Sequence, residues 1–280
     1  MTPLRLEAPA KLNLSLAVVG RRADGLHELV SDLVLLELAD RLLLLPGCSG
    51  LRVDGWLQAE LPLTAENLAW RGLLAGLDRE PELECLTLEK RVAVAAGLGG
   101  GSSDAAAAWR LGRRWTDADE AAEAATLARL ATIGADVPFF AAQLAAGRVT
   151  GIGERVIAAQ PPSDTPHVVL AHPPFTLSTA AVFGELRPAE WSGEPRPGVN
   201  DLLAPARRLR PELDDVLRLV VAAGGDPQLT GSGPTIFSVT DDPERAAAVV
   251  ARLKRAGMRA SQTRIRREPA SIEAIDENEE

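Results

Sequence analysis

Ala95-Ala96-Gly97-Leu98-Gly99-Gly100-Gly101-Ser102-Ser103-Asp104-Ala105-Ala106 is the stretch on which the reading of this chain turns. Four glycines fill five positions, two serines follow, and the run enters an alanine-rich segment that reads as a helix from about Ser102 to Arg114. Glycine permits positive φ and lets a backbone approach a ligand closely. A helix start adds unsatisfied N–H groups and the positive end of a dipole. Together they make a cradle for phosphate. A tight strand-to-helix turn accounts for two glycines, but three adjacent ones lose chain entropy with no side chain to pack.

Several well-known cradles are excluded. A P-loop needs a lysine just before the hydroxyl residue, and no lysine lies between Lys90 and Lys254. A dinucleotide fingerprint started at Gly97 meets Ser102 where its third glycine belongs, and no acidic residue stands out at the ribose distance. The H-R-D and D-F-G pair of protein kinases is also missing.

The 280 residues, 46% hydrophobic and 25% charged, suit one large or two modest globular domains. A net charge of −9 argues against nucleic acid as a partner. No apolar run approaches a membrane span of about 20 residues, and the start lacks a signal-peptide core. The expectation is a cytoplasmic protein without a membrane partner. Cys48 and Cys85 lack metal-site spacing and are expected as buried or incidental thiols, not as a staple. His27, His167 and His172 form no ligand cluster, so no metal site is expected from them. Of 30 basic residues only Lys11, Lys90 and Lys254 are lysines. In an arginine-biased chain a lysine can mark where a compact ammonium is needed, or simply remain on the surface.

Along the chain, residues 4–19 read as a strand broken at Pro9-Ala10-Lys11. Leu33 to Leu45 reads as strands around a turn at Ala39-Asp40-Arg41. Trp70, Leu73, Leu74 and Leu77 fall at helical spacing, with Thr64 as a candidate N-cap. Asp117 and Glu120 offer a capping box for a helix reaching about Thr132. Gly147 to Ile157 reads as a hairpin turning at Gly151-Ile152-Gly153, and Pro161 to Pro166 as a linker. Beyond it come a strand at Val168 to Ala171, helices from about Thr179 and over Pro211 to Ala223, and a strand at Ile236 to Val239. A helix at Pro243 to Ala256 and a strand at Arg259 to Ile265 follow. The acidic end, Glu273 to Glu280, is expected to be a disordered tail. Meandering strands mixed with helices indicate an α+β fold, not a doubly wound sheet.

The loop Gly97 to Asp104 resembles the signature of the GHMP kinases. Pro9-Ala10-Lys11-Leu12-Asn13-Leu14, Arg22-Ala23-Asp24-Gly25-Leu26-His27, Gly134-Ala135-Asp136-Val137-Pro138-Phe139-Phe140 and Thr230-Gly231-Ser232-Gly233-Pro234 resemble one branch of that family. The resemblance implies a ribosomal-protein-S5-like N-terminal ATP-binding domain (1–160), a ferredoxin-like C-terminal substrate domain (161–268) and the tail (269–280). It implies ATP-dependent phosphorylation of an alcohol on a small molecule that carries a cytidine diphosphate group, with Mg²⁺, in a monomer or weak homodimer.

The resemblance also assigns roles. Phosphoryl transfer needs positioning, charge neutralisation and an acceptor for the nucleophile's proton. Asp136 matches the catalytic carboxylate; by sequence alone it fits better as the N-cap of the helix carrying Pro138. Lys11 is its cationic partner. The nucleotide is expected along Ala93, Val94, Ala95, Ala96, Gly97, Leu98, Gly99, Gly100, Gly101, Ser102 and Ser103, with Lys90 nearby and Asn67 beside the adenine. The serine hydroxyls could instead cap the helix. Substrate contacts are expected from Asn13, Leu26, His27, Asp136, Thr179, Phe183, Gly231, Ser232 and Gly233, with His27 reading the cytosine and Phe183 stacking on it. Alone, Phe183 would read as core.

The chain departs from the family at Leu26, where a tyrosine is usual, at Ala93 and Ala95, where proline and glycine are usual, and at Pro234, which removes an amide donor. Losing one aromatic face is expected to weaken stacking by about 1 kcal/mol. Two alternatives are a homoserine- or phosphomevalonate-type kinase and a non-catalytic nucleotide-binding regulator. The segments at 9–14 and 24–27 speak against the first. The presence of Lys11 and Asp136 speaks against the second.

Overall fold

The computed structural model describes residues 2–55, 61–63, 65–162 and 166–275. Its elements are β1 (Leu4–Arg21), β2 (His27–Pro46), β3 (Gly50–Gly55), α1 (Leu68–Leu77), β4 (Glu84–Lys90), α2 (Gly100–Trp115), α3 (Ala124–Leu130), α4 (Val137–Ala141), β5 (Ala146–Gly151) and β6 (Arg155–Ala158). There follow β7 (His167–His172), α5 (Thr179–Glu185), α6 (Leu203–Leu209), α7 (Leu213–Ala222), β8 (Gln228–Leu229), β9 (Ile236–Thr240), α8 (Pro243–Arg255), β10 (Arg259–Arg264) and β11 (Glu273–Ala274).

Two long strands organise the first half. β1 and β2 pair antiparallel from Leu4↔Leu44 to Arg21↔His27, with a bulge between Pro9 and Lys11 where the sequence reading has a break. A bulge absorbs the proline without ending the strand. β2 also runs unbroken through Ala39-Asp40-Arg41. Asp40 is fully buried there and accepts the amides of Arg91 at 2.6 Å and Val92 at 2.8 Å, so a turn-like tripeptide is an internal anchor. β2 is long enough to pair with β4 over Arg41–Pro46 and with β5 over Leu29–Val34. β3 adds parallel to β4, and β6 antiparallel to β5.

α1 and α2 cover one face, burying Leu73, Leu77, Ala108 and Leu111 against Leu6, Leu42, Leu44 and Leu86. They approach unusually closely, because a Cβ on Gly72 would lie 2.0 Å from the Ala105 carbonyl oxygen. Thr64, the expected cap of α1, lies outside the described residues. Asn67 caps the helix, its side chain accepting the Ala69 amide at 2.9 Å. The expected helix from Asp117 to Thr132 shrinks to α3, because Asp117 turns to φ 53° after α2 and the chain is irregular to Glu123.

The second half is an antiparallel sheet in the order β10-β7-β9-β8. One face buries Val169, Ala171 and Ile236 under Val216, Val220, Ala246, Val249 and Leu253 of α7 and α8. The other face sets Val168, Leu170 and Phe237 against Ala10, Leu12, Val34, Leu36, Val92 and Leu98. The two halves therefore share an apolar core. The segment from Gly193 to Asp201 straps the free edge of β1: the Gly198 amide donates to the Leu14 carbonyl at 2.9 Å, and the Leu16 amide to the Val199 carbonyl at 2.9 Å.

Two further expectations are corrected. Cys48 and Cys85 are joined in a disulfide, since β2 and β4 pair at Leu45↔Cys85 and the chain after β2 folds back to within 5.2 Å of it. The start of the expected tail is ordered as far as Ile275: Ala270 is buried, Glu273–Ala274 pair with β1, and Glu273 meets Arg5 at 2.6 Å; the rest of that expectation, 276–280, lies outside the described residues. The part of the expected linker at 163–165 lies outside the described residues. Among those residues no helix is long and apolar enough to cross a membrane.

Candidate active site

β4 delivers the chain to the glycine loop. Gly99, left-handed at φ 69°, is the N-cap of α2, so the helix starts two residues before Ser102. The first intrahelical bond runs from the Ser103 amide to the Gly99 carbonyl at 2.9 Å. The amides of Gly100, Gly101 and Ser102 precede it and so have no partner within the helix, at the positive end of a 16-residue helix, where backbone amides can donate to an anion. Neither serine hydroxyl caps the helix. Upstream, Ala95 takes φ 51°, a left-handed conformation that strains any residue with a Cβ.

A second glycine loop presses against the first. Gly97 has φ 75°, and a Cβ there would stand 2.4 Å from the Thr230 carbonyl oxygen. The Thr230 hydroxyl donates to the Gly97 carbonyl at 3.2 Å. Asn200 clamps the second loop from behind, its Nδ2 donating to the carbonyls of Leu229 at 2.8 Å and Gly231 at 2.9 Å.

Lys11 is buried where the two loops meet. Its Nζ donates to Asn13 Oδ1 at 2.5 Å and to the Gly97 carbonyl at 2.9 Å, and it lies 3.7 Å from Asp136 Oδ2. Burial pulls the ammonium below its usual range, and the Asp136 charge opposes that. Asp136 stands at the start of α4 yet makes no side-chain cap bond, so the capping role favoured by sequence alone is not taken up. Its carboxylate, 36% exposed, faces the cleft beside Lys11. Asn13, 7% exposed, donates its Nδ2 to Ser31 Oγ at 2.8 Å and accepts from Lys11 at its Oδ1, so it orients the ammonium.

Lys90 behaves differently. Its Nζ is buried between the carboxylates of Asp40 and Asp104, the latter at 2.8 Å. The two aspartates raise its affinity for the proton despite burial. Burial and the second carboxylate push Asp104 well above the usual carboxylate range, and its Oδ1 has no partner among the described residues. Lys90 thus reaches the cleft as a neutralised post beneath the loop.

A cleft of about 1080 Å³ runs past both loops. One end is lined by Leu61, Pro62, Asn67, Leu68, Leu88, Lys90, Ala93 and Val94, an apolar slot suited to a flat base. Ala95, Ala96, Gly97, Gly99, Gly100, Gly101 and Ser102 line the middle with Lys11, Asn13 and Asp136. The other end holds Leu26, His27, Thr179, Phe183, Gly231 and Ser232. Phe183 stacks on His27 at 5.4 Å and 25°, and Thr179 Oγ1 meets Ser232 Oγ at 2.9 Å. Burial and the Arg21 charge hold His27 below its usual value.

Three expected residues do not reach the cleft. Leu98 is core, Ser103 is 1% exposed with its hydroxyl facing inward, and Gly233 packs under Leu229. The sequence reading passed over Arg21, Ala135, Ile152 and Gly153, all of which line the cleft. Gly153 carried a signal as a turn glycine: a Cβ on it would lie 2.4 Å from the Ala135 carbonyl, tying the β5–β6 turn to the Asp136 segment.

With this geometry in hand, the likeness to known proteins is specific. The family model of the GHMP kinases N terminal domain matches residues 65–143, and that of the GHMP kinases C terminal matches residues 187–259. The chain is 36% identical to 4-diphosphocytidyl-2-C-methyl-D-erythritol kinase of Bradyrhizobium diazoefficiens, across 91% of this chain and 95% of the relative. It is 38% identical to the kinase of the same name from Thermus thermophilus, across 85% of this chain and 88% of the relative. A crystal structure of 4-(cytidine 5'-diphospho)-2C-methyl-D-erythritol kinase superposes with a TM-score of 0.76 at 34% identity, covering 93% of this chain and 98% of that one. Homoserine kinase from Cytophaga hutchinsonii shares the fold alone, at 16% identity and a TM-score of 0.67 over 98% of both chains.

Proposed function

The chain belongs to the GHMP kinases and within them to the 4-diphosphocytidyl-2-C-methyl-D-erythritol kinases, and from that premise we propose how its cleft performs the transfer. The reaction moves the γ-phosphoryl group of ATP to the 2-hydroxyl of 4-diphosphocytidyl-2-C-methyl-D-erythritol, giving the 2-phosphate and ADP for isoprenoid precursor synthesis. The observation that carries the reading is the Lys11–Asp136 pair, held at the lip of the glycine loop where it meets the second loop.

Three amides at the start of α2, Gly100 to Ser102, hold the nucleotide phosphates, and the apolar slot beside Asn67 takes the adenine. Asp136, with no cap bond to make, accepts the proton of the attacking hydroxyl as the new P–O bond forms. Lys11 keeps that carboxylate ionised and offsets charge on the group in transit. His27 and Phe183, with Thr179 and Ser232, receive the cytidine end. A magnesium ion bound with ATP would need only one or two protein oxygens. The hydroxyl of Ser102, which lies near the Gly134–Asp136 segment, would be the protein oxygen that holds it, leaving the Asp136 carboxylate for the proton. The ion would supply neutralisation of phosphate charge. Residues 1–160 form the nucleotide half and 161–268 the substrate half.

The test is ADP release with the cytidylyl substrate run beside homoserine and phosphomevalonate. Turnover confined to the cytidylyl compound is expected. Turnover of homoserine and none of the cytidylyl compound overturns the assignment.

A further inference from the structure

His27 is the residue that the proposed reading gives to the cytosine, and nothing on the ring's nitrogens fixes its orientation. Among the described residues His27 makes no side-chain hydrogen bond, and two aromatic rings pack against it. Phe183 lies nearly flat on it at 5.4 Å, and Trp191 meets it edge-on at 5.9 Å and 88°. Edge-to-face and offset stacks at this separation are attractive and directional. Leu26, 49% exposed, supplies no ring on its side of the cleft.

Trp191 is not among the residues lining the cleft; it packs against the core of the substrate half. Its own place is well determined. The neighbouring Ser192 donates its amide at 2.9 Å and its hydroxyl at 3.0 Å to Asp201 Oδ2, which also accepts the Val18 amide at 2.7 Å. The Gly193 amide donates to the Val18 carbonyl at 3.2 Å. Asp201 therefore nails the strap to β1, and the strap holds the indole against the imidazole. The indole N–H has no acceptor among the described residues, so the ring acts through its shape and its quadrupole.

We propose that Trp191 is a positioning residue for base selection: it locks the His27 imidazole so that both ring nitrogens stay free to read the edge of a cytosine. The inference rests on the functional reading above. A ring that reads a base by hydrogen bonds discriminates only if its orientation is fixed, because a free rotor can satisfy cytosine and uracil alike.

The test compares wild type with Trp191→Leu and Trp191→Phe. The readouts are KM for the cytidylyl substrate, KM for ATP, and the ratio of kcat/KM between this substrate and its uracil analogue. Trp191→Leu is expected to raise the cytidylyl KM about threefold to tenfold and to lower the cytosine-over-uracil ratio by a similar factor. The ATP KM should stay within twofold. Trp191→Phe keeps an aromatic edge and loses no hydrogen bond, so it should restore the ratio. General loosening of the fold would shift both KM values and leave the ratio intact. Should Trp191→Leu fail to fold, Ser192→Ala removes one of the two bonds by which Ser192 holds Asp201 and is read in the same way, with a smaller shift expected. A wild type that prefers cytosine together with a variant that keeps the full preference overturns the inference alone. A wild type with no preference between the bases overturns the functional reading and the inference with it.

Discussion

Replacing Asp136 by Asn preserves the size of the side chain and removes the charge that takes the proton. The expected loss in kcat is about 10²- to 10⁴-fold, while ATP affinity, followed by calorimetry, changes little because the loop amides are untouched. Lys11→Met keeps the buried stem and should cost about 10²-fold or more; near-normal turnover in either variant refutes their roles. Ala95 makes a separate prediction. Its left-handed φ of 51° costs about 1 kcal/mol or more, so Ala95→Gly should raise Tm by about 2 °C, and a fall would show that the strain is absent. The sequence exposed Ala95 as a departure from the family but not the sign of its φ. It left Asp136 between two roles, and only the missing cap bond and the nearby ammonium separate them. Lys90 was legible as a marked lysine, yet its partners Asp40 and Asp104 arrive through β2 and α2, which no local pattern connects. Asn200 was invisible because it acts on carbonyls about thirty positions away, at Leu229 and Gly231.

Among the elements, the α1–α2 pair is the least tolerant of added volume. A methyl on Gly72 would meet the Ala105 carbonyl oxygen at 2.0 Å, a backbone atom that cannot swing aside. Gly72→Ala gains helix propensity of up to about 1 kcal/mol but separates the helices, at about 1–3 kcal/mol or more. Urea denaturation should show a net loss of stability; a gain would mean that the helices part freely. Periodicity revealed α1, since its apolar residues repeat at helical spacing, and α7 and α8 were also legible as helices. It failed on β2, where Ala39-Asp40-Arg41 carries turn residues whose polar atom is spent on Arg91 and Val92 instead. It failed again after α2, where the Asp117–Glu120 pair imitates a capping box with no apolar stripe to follow. The two-residue strands β8 and β11 are too short to carry any pattern.

For the whole molecule, the shared core decides how it unfolds. Phe237 belongs to the second sheet but packs with Leu12, Val34 and Leu98 of the first half. Calorimetry should therefore record one cooperative transition, and Phe237→Ala should lower it as a unit by about 3–5 kcal/mol; two separate transitions would contradict a common core. The α+β class and the linker came from residue patterns and the identity of the two domains from motif resemblance, but neither could show that the end of the chain returns to pair with β1. The neutralised Lys90 has a consequence for how ligands find the cleft. In the proposed function the loop holds phosphates with uncharged amides, while Lys11 is already shared with Asp136 and the chain carries a net charge of −9. At long range this surface repels its own polyanionic substrates, and added salt relieves that repulsion. Between about 20 and 200 mM ionic strength kcat/KM should hold level or climb, the opposite of an enzyme that draws its substrate in through a basic funnel.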